Sequence, residues 1–290
     1  MRIKYLGTGA AEGFPGLFCE CAACRKARDR RGKNLKMRSC TLLNDSVLID
    51  ISPDIFAQSL SFGIRMSKIK AIVCTHSHED HLDLFSLMLR CRTGSSHLPD
   101  IPPSQNHIHV YGSSAIIGKI EHAFSSQPHA DRNILIFHEL KAYRPYLIEG
   151  LEFTPLPAQH IPDEECFLYC VREGKHSLLY ANDTGAPTED FFSGVERLPH
   201  PFSVVSLDCA RGTLDGDGHM GIKEVRSLCG RLKKMGKIVP ASRIYLNHFS
   251  HMCGMIHDEF QDLIAEEGLR LTYDGLTLEV SDDGFFTRSM

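Results

Sequence analysis

The chain has 290 residues, 42% hydrophobic and 23% charged, with a formal net charge of −4. That composition excludes a wholly disordered chain, and the missing basic excess sets aside a general nucleic-acid binder. No apolar run approaches the ~18 residues of a membrane span, and MRIKYLGTGA at the N-terminus has no apolar core for a signal peptide. A cytoplasmic location is therefore expected, with the 11 Cys serving as thiols or metal ligands rather than disulfides.

In chain order, apolar and β-branched runs predict strands over 2–7, 41–51, 70–75, 107–111, 134–138, 151–156, 166–172, 177–181, 203–208, 243–248 and 270–280. Helical patterns fall over 54–64, 81–92, 113–125, 188–197, 220–235 and 257–267, with Asp54 and Thr188, each after a Pro, as start signals. The turn-rich stretch 95–107 is too short to separate domains. Residues 172–175 and 274–275 read as hairpin turns. The stripe Phe85, Met88 and Leu89 reads as core, and 231–237 as a solvated helix end. Strands outnumber helices without strict β–α alternation. The expected fold class is α+β, one domain over 1–290, with two packed sheets and helices on both outer faces.

Chemistry concentrates in AIVCTHSHEDHLDLF, residues 71–85, where His76, His78, Asp80 and His81 follow an apolar strand within six positions. A strand-to-helix loop is free of strand alternation, so these side chains can converge. Imidazole and carboxylate together suit zinc, manganese or iron. A second cluster, CECAAC, supplies Cys19, Cys21 and Cys24 ahead of a basic helix. Thiols this close make poor disulfide partners and suit a closed structural zinc with one further ligand. GTGAAEG at 7–13 is not a dinucleotide loop, because Glu12 replaces the third Gly of that fingerprint.

THSHEDH resembles the H-x-H-x-D-H signature of the metallo-β-lactamase superfamily, hydrolases with an αββα sandwich. The matching order of LPAQH, NDTG and NHFSH extends the resemblance over residues 2–280. It implies that His76, His78 and His160 hold one metal, Asp80, His81 and His248 a second, with Asp183 bridging, and it places Asp50 beside the site. The family's usual Gly three residues after the motif is Leu84 here, which bears on the local helix rather than on the ligands. The added CECAAC, with LGTGAAEGFP at 6–15, resembles the cyclic phosphate phosphodiesterase branch found in phosphonate (carbon–phosphorus lyase) metabolism. That branch implies His251 as the fourth zinc ligand, with Cys253 a rival and Cys40 a weaker one. It also places a catalytic His at His219, in the Gly-rich loop DGDGHMG, where its near-neutral pKa suits proton donation.

The resemblance thus implies a phosphodiesterase that opens a small cyclic ribosyl phosphate by attack of a metal-bridging hydroxide. Catalysis would rest on His219 and Asp80, with two active-site ions (manganese or zinc) and one structural zinc. RNA phosphodiester cleavage of the tRNA 3′-endonuclease type, lactone or thioester hydrolysis, and a non-catalytic zinc scaffold are the alternatives. A small phosphorylated substrate is the expected partner, with no membrane and no strong nucleic-acid signal, and a homodimer is left open. Arg211 is the guess for a distal phosphate.

Overall fold

The computed structural model describes residues 1–92, 94–102, 105–125, 127, 129–282 and 284–288. Residues 103 and 104 of the turn-rich stretch lie outside the described residues, as do 289 and 290 at the end of the expected domain. The elements are, in chain order, β1 (Arg2–Gly7), α1 (Ala22–Arg30), β2 (Cys40–Leu43), β3 (Val47–Ile49), α2 (Ile55–Ser61), β4 (Ala71–Val73), α3 (Leu84–Cys91) and β5 (Ile108–Gly112). There follow α4 (Ser114–Ser125), β6 (Leu135–Glu139), β7 (Tyr146–Ile148), β8 (Leu151–Pro157), β9 (Phe167–Glu173), β10 (His176–Ala181), α5 (Glu189–Glu196) and β11 (Val204–Asp208). The chain closes with α6 (Ile222–Lys234), β12 (Arg243–Asn247), α7 (His257–Ile264), β13 (Leu269–Leu271), β14 (Thr277–Ser281) and β15 (Gly284–Arg288).

The strands form two mixed sheets, ordered β15-β14-β1-β2-β3-β4-β5-β6 and β13-β12-β11-β10-β9-β8-β7. Strand alternation sends alternate residues to opposite faces. On β10, Leu178 and Tyr180 enter the core between the sheets, where they meet Ile3, Tyr5, Val73, Phe153 and Tyr169. Their neighbours Leu179 and Ala181 face the outer layer with Phe191, Val225 and Leu228 of α5 and α6. On the other side Leu42, Leu48, Ile72 and Val110 pack with Ile55, Leu87, Ile116 and Ile120 of α2, α3 and α4. This is the expected four-layer α+β sandwich. α6 shows how its sequence makes it. Ile222, Val225, Leu228, Cys229 and Leu232 recur at helical spacing and are buried. Glu224 reaches back to accept from the Gly221 N–H at 3.0 Å, and Arg231, Lys233 and Lys234 sit in the last turn, where the dipole favours cations.

Several local expectations are corrected. The run 41–51 is two strands, because Asn44 and Asp45 take φ of 45° and 60° and turn the chain between β2 and β3. Residues 172–175 do form the β9–β10 hairpin, but Asp274-Gly275 does not join partners: β13 pairs with β12, and β14 pairs with β1 in the other sheet. Asp274 instead accepts from the Thr8 hydroxyl and the Met37 N–H, which ties this crossing to the loop after β1. The edge strands β7 and β15 were not expected. Asp54 flanks α2 without capping it, since its carboxylate binds the Arg38 guanidinium and N–H. On α3 the inward stripe is Leu84, Leu87, Met88 and Cys91, whereas Phe85 is 63% exposed and Leu89 is 39% exposed. The helix starts at Leu84 rather than 81 because Asp83 caps it, accepting from the Phe85 and Ser86 N–H groups. No helix among the described residues is long and apolar enough to cross a membrane.

Candidate metal centre

The residues singled out by sequence gather at the carboxyl ends of strands: Asp50 after β3, His76 after β4, His160 beyond β8, Asp183 after β10 and His248 after β12. Asp50, Asp183 and His248 have φ of 63°, 54° and 61°, a left-handed conformation costly for residues with a Cβ, here held at the ends of β3 in one sheet and of β10 and β12 in the other. The loop 76–81 is tight. His81 and Leu82 N–H groups donate to the His78 carbonyl, the Ile51 N–H donates to the His81 carbonyl, and the Asp83 N–H donates to the Ile51 carbonyl. Thr75 is anchored by donating its N–H to Asp50 Oδ1 at 2.8 Å. These bonds fix the backbone while four polar side chains turn to one side.

Two overlapping groups of donors result, His76–His78–His160–Asp183 and Asp80–His81–Asp183–His248, each with its ligand atoms within 4.8 Å of one another. Asp183 stands between them. Its Oδ2 lies 3.2 Å from His76 Nε2 and 3.0 Å from His81 Nε2, while Oδ1 lies 3.3 Å from His160 Nε2. His78 Nδ1 is 3.1 Å from His76 Nε2 and 2.9 Å from His160 Nε2. Nitrogen and oxygen ligands set tetrahedrally at zinc distances would stand about 3.3 Å apart, so the spacing fits an ion in each group. His81 Nε2, Asp183 Oδ1 and His248 Nε2 are buried among the described residues without a hydrogen-bond partner. Such orphaned atoms aimed at one another are what a cation satisfies.

Two buried carboxylates behind the donors orient them, in the manner of outer-shell partners of metal-binding imidazoles. Asp50 Oδ2 is 2.7 Å from His81 Nδ1, so Nε2 is the nitrogen aimed into the cluster. Asp208, the last residue of β11, is absent from the residues singled out by sequence. Its Oδ2 lies 3.2 Å from both His219 Nδ1 and His248 Nδ1 and accepts from the Asp183 N–H at 3.0 Å. Its Oδ1 accepts from the Ala210 and Met220 N–H groups. The signal was present: VVSLD ends an apolar strand on an acid, as VLID does at Asp50. Asp208, His219, His248 and Asp183 also form a third group with metal-ligand spacing.

The electrostatics follow from burial and these contacts. Burial pushes His160 down to about 4, with the neighbouring imidazoles adding to it against Asp183, so a neutral lone-pair donor is present at neutral pH. Burial would raise Asp183, but His248, His76 and His81 outweigh it and hold the carboxyl well below its ordinary range. Burial would lower His219, yet the hydrogen bond and charge of Asp208 raise it to about 9.

The second cluster also assembles. Cys19, Cys21, Cys24 and His251 come within metal-ligand reach, with His251 Nδ1 at 3.4 Å from Cys19 Sγ and 3.9 Å from Cys21 Sγ. A sulfur and a nitrogen on one tetrahedral zinc would be about 3.6 Å apart, so thiolates and imidazole fit that ion. Cys21 caps α1, accepting from the Cys24 N–H, and that bond, with His251 and the neighbouring thiols adding to it against burial, lowers its thiol to about 6. The rivals stand elsewhere: Cys253 Sγ donates to the Met255 carbonyl and Cys40 Sγ to the Asp50 carbonyl.

A cavity of about 280 Å³ opens over the first cluster, lined by His78, Asp80, His160, Asp183, His219 and His248 together with Glu12, Arg211 and Asp217. Arg211 is held there by Nε donating to the Asp215 carbonyl at 3.2 Å, with Nη1 3.7 Å from Met252 Sδ.

A family model of the beta-lactamase superfamily domain matches residues 45–249, well over half of the chain and most of this site. The chain belongs to the metallo-β-lactamase superfamily. As a member it is a metal-dependent hydrolase. It is similar to an octanoyltransferase of Porphyromonas gingivalis, 29% identical over 168 residues and 55% of this chain. The chain spans only 31% of that relative's length. It is also similar to coenzyme PQQ synthesis protein B of Klebsiella pneumoniae, 21% identical over 97% of this chain and 99% of that one. Among solved structures, a diphosphatase from the PhnP family superposes with a TM-score of 0.72 at 24% identity, covering 97% of this chain and 98% of the other. That likeness shows the fold of this superfamily member.

Proposed function

We propose that the protein is a phosphodiesterase acting on a small cyclic or sugar phosphate, with two divalent ions at the His/Asp clusters and a structural zinc at Cys19, Cys21, Cys24 and His251. The observation that carries the reading is His219. Its ring lines the cavity and its Nδ1 lies 3.2 Å from both Asp208 Oδ2 and Asp183 Oδ1, so Nε2 is the nitrogen left for a substrate. A poor alkoxide leaving group needs such a donor, whereas a stabilised leaving group does not. The cavity volume of about 280 Å³, small beside most ligand pockets, favours a small substrate over a polymer.

Ions held by the two groups would supply Lewis acidity to the phosphoryl oxygens and a water of lowered pKa. The rest is done by the chain. Asp183 and the imidazoles fix where the phosphoryl group is received. Asp50 and Asp208 keep the rings of His81 and His219 in one tautomer. As the bond from phosphorus to the sugar oxygen breaks, His219 gives its Nε2 proton to that oxygen. Either manganese or zinc suits the nitrogen and oxygen donors, whereas the thiolate site selects zinc. With metal loaded, bis(p-nitrophenyl) phosphate is expected to be turned over faster than p-nitrophenyl phosphate, a β-lactam or a thioester. Equal or faster turnover of any of the other three would refute the reading.

For the zinc site, Cys21→Ser is expected to lose one zinc per chain and to lower the melting temperature, because the ion ties residues 19–24 to His251 across 232 positions. Elemental analysis and thermal unfolding check it, and a variant with full metal content and unchanged stability would remove the assignment.

A further inference from the structure

We propose that Ser77 and Glu164 are a positioning pair for the first group of metal donors: their hydrogen bond latches the loop of His160 to the loop of His76 and His78. This goes beyond the phosphodiesterase reading, since it holds whatever bond is cleaved, and rests only on the two-ion part of that reading.

The first group is assembled from both sheets. His76 and His78 lie on the loop after β4 of the eight-stranded sheet, whereas His160 and Asp183 lie on loops after β8 and β10 of the seven-stranded one. Donors on separate layers keep metal-ligand spacing only if something ties the layers together near them. At the strand ends the Phe167 N–H donates to the Thr75 carbonyl at 2.9 Å, and the Tyr169 hydroxyl to the Cys74 carbonyl at 2.5 Å. Both ties stop before the first ligand, His76. Ser77 carries the connection into the site itself. It stands between His76 and His78, and its Oγ donates to Glu164 Oε2 at 2.5 Å. Glu164 follows His160 in the same loop. Its N–H donates to the Ile161 carbonyl at 3.3 Å, and its carbonyl accepts from the Cys166 N–H at 3.0 Å. This short turn transmits a displacement of Glu164 back to His160.

Ser77 is a stationary partner because it is held from the other side as well. Lys119 Nζ on α4 donates to the Ser77 carbonyl at 2.5 Å and pairs with Glu79 at 2.7 Å. Glu164 in turn depends on Ser77. Its Oε1 is buried without a hydrogen-bond partner among the described residues, so losing the Ser77 hydroxyl leaves both oxygens uncompensated. The near end of the His160 loop is fixed within its own sheet, where the Gln159 N–H donates to Thr184 Oγ1 at 3.0 Å and the Gly185 N–H to the Gln159 carbonyl at 2.8 Å. The second group has separate supports: Asp50 Oδ2 lies 2.7 Å from His81 Nδ1, and Asp208 Oδ2 lies 3.2 Å from His248 Nδ1. The latch therefore acts on one ion of the two.

The test titrates Mn²⁺ by calorimetry into protein whose His/Asp groups have been emptied by mild chelation, with zinc per chain read by elemental analysis. S77A and E164A are each expected to weaken one manganese ion by about 10–100-fold, the range for lost outer partners. The other ion should change by less than about threefold, and the thiol-cluster zinc should stay. S77T keeps the hydroxyl and E164Q keeps an acceptor oxygen, so both should bind like the wild type. S77A/E164A should be no weaker than either single variant, because one contact is lost in all three. Unchanged binding in S77A, equal weakening of both ions, losses that add in the double variant, or S77T and E164Q as impaired as the alanine variants would each overturn the proposal. If the wild type takes up fewer than two manganese ions, the two-ion reading fails. Amide hydrogen exchange of the metal-free protein then decides the latch by itself: S77A and E164A must speed exchange over 161–166, and unchanged exchange there would overturn it.

Discussion

Asp183→Ala is expected to abolish turnover and to lower metal content at both His/Asp groups while leaving the fold intact. Asp183 is the one residue common to the two groups, with one or other oxygen within 3.3 Å of nitrogens on His76, His81 and His160. Losing an outer partner of a metal ligand typically costs about 10–100-fold in affinity or activity, and loss of a shared inner carboxylate should exceed that. Its removal also leaves a crowd of imidazoles without their central anion, so any ion that remains is held by fewer and less compensated donors. The fold should survive because the three large apolar cores are built from other residues. Elemental analysis, circular dichroism and kcat together check this. A variant that keeps both ions and near-normal turnover would remove Asp183 from its role. His81→Ala is expected to behave similarly, since its Nε2 lies 3.2 Å from Asp80 and 3.0 Å from Asp183 and its other nitrogen is pinned by Asp50.

His219→Ala is expected to lower kcat by about 10²–10⁴, the usual range for a lost general acid, with little change in active-site metal. Its dependence on the leaving group is the informative part. A p-nitrophenolate departs without a proton, so the loss should be small there and large for an alkyl ester. His219 Nδ1 is already engaged by Asp208, whose same oxygen serves His248, so the ring has one nitrogen left for the substrate. If His219 instead completed a metal site with Asp208 and His248, the substitution would cost metal and would impair all leaving groups alike.

The ligand set was legible because its members cluster in sequence or punctuate it. Three His and an Asp in six residues have few other uses, and His160, Asp183 and His248 each close an apolar strand, where side chains at carboxyl ends converge. CECAAC was legible for the same reason of density. Asp208 was not, because one acid after one strand looks ordinary until the neighbouring strands show that its oxygen meets two imidazoles. Glu12 was read only as a residue that spoils a dinucleotide loop. Its place beside His251 depends on contacts 239 positions apart in the chain, which spacing cannot reveal.

Local errors had local causes. Phe85 and Leu89 are apolar and helical but lie on the outer face of α3, since the stripe is set by Leu84, Leu87 and Cys91. The Asp274-Gly275 turn has hairpin composition, yet strand pairing is decided by partners far away: β1 takes β14 and β12 takes β13.

The most direct measurement is a crystal structure of the metal-loaded protein with anomalous data collected at the zinc and manganese edges. Three peaks are expected: one among His76, His78 and His160, one among Asp80, His81 and His248 with Asp183 between the two, and a zinc-only peak among Cys19, Cys21, Cys24 and His251. A lone ion at Asp208, His219 and His248, with none in either of the two other His/Asp groups, would contradict the dinuclear site and the role of His219 together.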